Sequence, residues 1–160
     1  MLIVLEGCDG SGKSTLADLL SRLSYDGAEV IHATRETPNT VEWFNSILDM
    51  AKTRNIIMDR AFWGQFVYQK PKERHLTFED LAQLEHRLVD EGGKLIYVYS
   101  PERVINRRLK KREEETSLPV KKILKKYKLL CINANCPVIW YNSHTGLSKI
   151  FEYKRKESKE

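Results

Sequence analysis

The sequence predicts an α/β chain in three layers, α/β/α, with helices on both faces of a parallel sheet of about five strands. Three observations carry that expectation. An apolar run, Leu2-Ile-Val-Leu5, leads into a glycine-rich loop, Gly7-Cys-Asp-Gly-Ser-Gly12-Lys13-Ser14, and then into a helical pattern. Further strand-like runs alternate with amphipathic stretches over short connections, as in a parallel sheet covered on both sides. A later apolar run ends Ile56-Ile-Met-Asp59-Arg60, which puts charge at the carboxyl end of a strand, where open α/β sheets bind ligands.

In chain order, Leu2–Leu5 is short, apolar and β-branched, as a buried strand should be. Lys13–Leu23 reads as a helix, because Leu16, Leu19, Leu20 and Leu23 fall on one face. Glu29–Ala33 is the second strand, Thr34–Thr40 a polar loop, Val41–Ala51 an amphipathic helix and Asn55–Met58 the third strand. Phe62–Tyr68 opens a further helix. Thr77, with Asp80 three residues on, caps a helix to about Val89, and Glu91-Gly92-Gly93 stops it. Lys94–Tyr99 is the fourth strand. Pro101 starts a long basic helix, Pro119 restarts it as Val120–Ala134, and Pro137–Tyr141 is the fifth strand. The charged residues Lys149–Glu160 read as a frayed helix or a tail. Residues 1–160 fit one domain, long enough to bury a core.

The glycine-rich loop is a complete G-x-x-x-x-G-K-[ST] phosphate loop (P-loop), so it names a ligand. Its glycines let successive N–H groups face phosphate oxygens, Lys13 reaches the β- and γ-phosphates, and the Ser14 hydroxyl sits on Mg²⁺. Gly7, Gly10, Ser11, Gly12, Lys13, Ser14 and Thr15 are the candidate ATP-binding residues. Asp59 is a second candidate for holding Mg²⁺, since P-loop proteins place an acid after an apolar strand for that purpose. Arg60 beside it is a candidate phosphate-binding guanidinium, the alternative being a surface ion pair with its neighbour.

Composition narrows the class. The 160 residues are 31% charged, with a net charge of +5, and no apolar run approaches the ~20 residues of a membrane span. A first strand at residue 2 leaves no room for a signal peptide, and Cys8, Cys131 and Cys136 lack zinc-ligand spacing. A reducing, cytoplasmic setting follows as the expectation, with no membrane partner and Cys8 as a filler in the loop. Between Arg103 and Lys128 basic residues dominate, opposed only by Glu113, Glu114 and Glu115. Such a stretch holds polyphosphate or nucleic acid, or is a solvated helix exterior. No Asn-Lys-x-Asp guanine-reading motif is present, which argues against a GTPase switch.

Four stretches together resemble the thymidylate kinase branch of the P-loop nucleoside and nucleotide kinases. They are Leu5-Glu6-Gly7-Cys8-Asp9-Gly10-Ser11-Gly12-Lys13-Ser14-Thr15, Thr34-Arg35-Glu36 with Thr40, Asp59-Arg60 followed by Tyr68-Gln69, and Ser100-Pro101-Glu102 leading to Arg108 and Arg112. The resemblance implies a P-loop NTPase fold with a short helical lid at about 107–118. It implies ATP, Mg²⁺ and a deoxynucleotide acceptor, thymidylate first. It implies that Asp9 accepts from the sugar 3′-hydroxyl, that Arg60 and Arg35 hold the acceptor phosphate, and that Tyr68 packs on the base. Trp63 or Phe62 would shape the pocket or pack in the core, and Gln65 or Gln69 would read the base edge.

The sequence departs from that family in places. Some members carry arginine right after the loop Asp, where this chain has Gly10, so the lid must bring positive charge through Arg108 or Arg112. Only fourteen residues separate Thr40 from Asn55, a shorter segment than is usual, and Gly64 replaces the customary serine. Arg112-Glu113-Glu114-Glu115 resembles the lid of deoxynucleoside kinases instead. A deoxynucleoside kinase using Asp59 as base, and a nucleic-acid-binding protein or a kinase acting on DNA, are the alternatives at this stage. A homodimer is left open.

Overall fold

A computed structural model describes residues 1–24 and 27–151. Its sheet has six strands: β1 (Leu2–Glu6), β2 (Glu29–His32), β3 (Ile56–Asp59), β4 (Lys94–Tyr99), β5 (Val138–Asn142) and β6 (Leu147–Phe151), in the order β2-β3-β1-β4-β5-β6. The first five are parallel, as the alternation predicts, and β6 is antiparallel to β5. The expected tail is therefore corrected for its first residues: Lys149–Phe151 is strand, while 152–160 lies outside the described residues. Asn142 makes the turn into β6, its side-chain oxygen accepting from the His144 and Thr145 amides while Gly146 takes a left-handed φ of 72°.

The helices are α1 (Lys13–Leu19), α2 (Val41–Met50), α3 (Gly64–Tyr68), α4 (Phe78–Asp90), α5 (Glu102–Lys111) and α6 (Val120–Asn133). Side chains alternate across β1, so its two faces feed two cores. Ile3 and Leu5 join Ile57, Val98 and the α1 residues Leu16 and Ala17. Leu2 and Val4 join residues from α2, α3, α4, α5 and α6 on the opposite face. Thr77 caps α4 as predicted: its hydroxyl accepts from the Asp80 amide at 3.1 Å and its own amide donates to Asp80 Oδ2 at 2.7 Å. Pro101 and Pro119 stand immediately before α5 and α6.

Two expectations about helices change. The predicted Lys13–Leu23 helix stops at Leu19 and continues as a wider π turn over Leu20–Ser24. Leu19, still within α1, is 46% exposed rather than on the buried face, and the widening breaks the 3.6-residue register for the residues that follow it. The segment expected as a lid, 107–118, is helical only as far as Lys111. Arg107–Lys111 are the last turn of α5, Glu113 takes a left-handed φ of 56°, and residues 112–119 form a loop.

Candidate functional site

The phosphate loop joins β1 to α1, as strand–glycine loop–helix geometry requires. Gly7, Gly10 and Gly12 have φ of 155°, 76° and 98°. A Cβ at Gly7 would stand 2.2 Å from the Val98 carbonyl oxygen, so that position admits no side chain. Lys13 is buried, and its Nζ donates to the Gly7 and Cys8 carbonyls at 2.7 and 2.9 Å. Burial pulls its ammonium below the usual lysine range, against the nearby Asp59 charge. Cys8 is buried, and burial pushes its thiol up, away from reactivity.

Ser14 Oγ donates to Asp59 Oδ2 at 2.7 Å, and His32 Nδ1 lies 3.2 Å from the same oxygen. Strand register explains the contact, since His32 and Asp59 are partners across β2 and β3. A hydroxyl and a carboxylate side by side at the loop mouth suit Mg²⁺, a hard cation that keeps waters and leans on phosphate oxygens. Among the described residues no group of three or more His, Cys, Asp or Glu could hold a metal ion.

On the other side of the loop, Arg60 leaves β3 in a left-handed conformation, φ 72°, and its guanidinium pairs with the Asp9 carboxylate. These two residues line two neighbouring clefts. One, of about 300 Å³, holds Gly12, Lys13, Ser14, Asp59, Arg112 and Glu114. The second, of about 480 Å³, holds Arg35, Asn39, Tyr68, Gln69 and Glu73, with Glu115, Thr116 and Ser117 from the 112–119 loop. A doubly cleft site of this kind can hold a phosphate donor and an acceptor against one loop.

Not every expected residue faces these clefts. Trp63 is fully buried, and its indole Nε1 donates to Glu85 at 2.7 Å, so it belongs to the core rather than the pocket surface. Gln65 reaches the second cleft but is committed to the backbone. Its Oε1 accepts from the His75 and Leu76 amides and its Nε2 donates to the Asn39 carbonyl at 2.7 Å. A side chain with its amide so occupied holds two loops together and is not available to read a base. Gln69 keeps that role open.

The two arginines expected at the lid separate. Arg108 Nη1 donates to the Gly10 carbonyl, Ser100 Oγ and Ser143 Oγ at 3.0, 3.2 and 3.1 Å. Arg112 is exposed and lines both the phosphate cleft and a third hollow of about 200 Å³ formed with Thr15, Leu16, Leu19, Tyr141 and Ser143. Arg103, Arg107, Lys121, Lys122 and Lys125 are exposed on the helix exteriors, whereas Lys126 donates to the Val67 carbonyl at 3.0 Å.

Glu6 is the residue that sequence reasoning missed. It is fully buried at the end of β1, and its Oε1 accepts from the Ala61 and Trp63 amides at 3.1 and 2.9 Å. Burial pushes its carboxyl up to about 7, although those two amides and the Lys13 and Arg60 charges pull it down. A charged residue closing an otherwise apolar strand was the available signal.

Fold and loop together define a P-loop phosphate-binding protein of the three-layer α/β/α type. No protein-family model and no curated protein sequence matches the chain; solved structures do. Its fold is that of the P-loop nucleoside and nucleotide kinases, the branch whose motifs it resembles. The YorR protein from Bacillus subtilis, in complex with phosphorylated GDP, is similar with a TM-score of 0.76 and 27% identity, over 90% of this chain and 86% of that one. Deoxyadenosine kinase from M. mycoides with bound dATP gives a TM-score of 0.55 at 17% identity, over 90% and 92%. Thymidylate kinase from Candida albicans gives 0.53 at 17%, over 87% and 82%. No helix among the described residues is long and apolar enough to cross a membrane.

Proposed function

We propose that this chain is an ATP-dependent kinase that transfers the γ-phosphate to a deoxynucleoside monophosphate, with thymidylate the first acceptor to test. One observation carries the reading: Arg60 and Asp9 pair on the wall shared by the phosphate cleft and the second cleft. A guanidinium there holds an acceptor phosphate, and the carboxylate beside it accepts from a sugar hydroxyl. Arg35 lines the same cleft and adds a second positive charge. The nucleotides bound by the structural neighbours support a nucleotide ligand.

Bound at Ser14 and Asp59, Mg²⁺ would neutralise charge on the donor phosphates. The loop amides and Lys13 hold the β- and γ-phosphates, which requires the Lys13 ammonium to leave the Gly7 and Cys8 carbonyls for the nucleotide. An acceptor phosphate oxygen is already ionised, so it attacks the γ-phosphorus in line without a general base. Catalysis is then positioning plus charge stabilisation. Arg112 supplies the positive charge that position 10 lacks, while Arg108 stays with the loop. Gln69 and Tyr68 contact the base.

ATP turnover against a panel of deoxynucleosides and their monophosphates tests this. Monophosphates should be the better acceptors, and Asp59→Asn should raise the Mg²⁺ needed for half-maximal rate. Nucleosides outcompeting monophosphates, with Asp59→Asn inactive at every Mg²⁺ concentration, would instead assign a deoxynucleoside kinase with Asp59 as base.

A further inference from the structure

Glu6 is a buried carboxylate that the phosphate chemistry leaves unused. It closes β1 directly before the loop yet lines none of the three clefts described above. Its Oε2 is buried without a hydrogen-bond partner. Across the sheet its register partner is Tyr97, whose ring stacks on Tyr127, and both of those hydroxyls are also buried without a hydrogen bond. Burying a carboxylate with one oxygen unpartnered carries a desolvation cost.

What it provides is a geometric link. One oxygen, Oε1, takes the amides of both Ala61 and Trp63. A carboxylate oxygen has two lone pairs and can do so. These amides belong to the turn between β3 and α3, and that turn begins with Arg60 in its left-handed conformation. An arginine does not adopt φ 72° by preference, so its neighbours must hold it there. The Arg60 amide is itself tied to the Leu5 carbonyl at 2.9 Å, one residue before Glu6. The end of β1 thus grips the turn at three points, Arg60, Ala61 and Trp63.

We infer that Glu6 is a positioning residue for the acceptor phosphate. By fixing the 60–63 turn from beneath, it aims Arg60 at Asp9 and into the second cleft. The inference rests on the functional reading above, in which Arg60 holds that phosphate.

Two variants separate reach from charge. Glu6→Gln keeps an acceptor oxygen at the same reach and loses the charge. Glu6→Asp keeps the charge and falls one methylene short. Glu6→Asp should raise the acceptor KM at least tenfold with the ATP KM within twofold, while Glu6→Gln stays within threefold on both. In ¹⁵N NMR spectra, the Arg60 Nε–H should shift in Glu6→Asp and hold in Glu6→Gln, whereas the Ala61 and Trp63 amides bond to the substituted group itself and move in both. The proposal is overturned if Glu6→Asp moves both KM values together, if neither variant moves either, or if Glu6→Gln loses the acceptor and Glu6→Asp keeps it. Should Glu6→Asp not fold, Glu6→Met takes its place, keeping the length and removing the acceptor oxygen: a raised acceptor KM with a moved Arg60 Nε–H supports the link, and unmoved values remove it. A wild-type protein that phosphorylates no monophosphate sinks the functional reading, and the resonances then still decide whether Glu6 places Arg60.

Discussion

The Arg108 guanidinium donates to the Gly10 carbonyl at 3.0 Å, joining α5 to the phosphate loop. The residue after Arg108 explains why position 10 carries no side chain. A Cβ at Gly10 would stand 3.2 Å from Leu109 Cγ and 3.5 Å from Ile105 Cγ2, and the backbone there has a left-handed φ of 76°. Here α5 packs onto the loop, fills that space and brings a guanidinium from its own side.

Gly10→Ala should therefore destabilise the protein by about 1–2 kcal/mol from the left-handed backbone alone. The tight approach to Leu109 adds to that cost. Chemical denaturation reads the loss. An unchanged midpoint would mean that the loop and α5 separate freely.

Arg112→Ala should lower kcat by about 10³ or more, the scale on which an arginine stabilises a transferring phosphoryl group. The unfolding midpoint should not move, because Arg112 is exposed. Arg108→Ala should lower the midpoint as well, because it strips a donor from Gly10, Ser100 and Ser143 together. Equal kinetic defects at unchanged stability would show that the two arginines share the transition-state role.

Glu6 should leave a signature in the pH dependence of stability. Its ordinary value of 4.5 rises to about 7 in the fold, chiefly by burial. Between those values the folded chain holds a proton that the unfolded chain has released, so stability falls as pH rises through that window. The full cost, about 3 kcal/mol, is felt above pH 7 and is absent below 4.5. Denaturation of wild type and Glu6→Gln at pH 5 and pH 8 isolates this contribution. The substitution should gain relative stability at the higher pH, and parallel pH profiles would contradict the shift.

Gln65→Ala should cost roughly 2–4 kcal/mol, because it leaves the His75 and Leu76 amides and the Asn39 carbonyl without their partner. Acceptor preference among bases should be unaffected. A changed base preference at full stability would return Gln65 to substrate recognition.

Much of this architecture is local, which is why it was legible in the chain. The Gly7–Ser14 loop, the Thr77–Asp80 cap and the β4 bounds follow from backbone sterics, hydrogen bonding within a turn and hydrophobic period, all set by neighbours in sequence. The sixth strand escaped because its last residues open the charged stretch Lys149–Glu160, and only pairing with β5 makes Leu147–Phe151 a strand.

Roles in the candidate site divide the same way. The sequence by itself determined that a phosphate loop stands between a strand and a helix, with Asp59 and Arg60 at the end of another strand. It left Trp63 or Phe62, Gln65 or Gln69, and Arg108 or Arg112 as alternatives, because spacing does not say which way a side chain faces. Tertiary packing decided that. Burial turned Trp63 toward Glu85, the His75 and Leu76 amides claimed Gln65, and α5 lying on Gly10 committed Arg108 while leaving Arg112 at the cleft. Glu6 is the sharpest instance. Its partners lie 55 and 57 residues away, and desolvation, which no neighbour in sequence imposes, sets its charge.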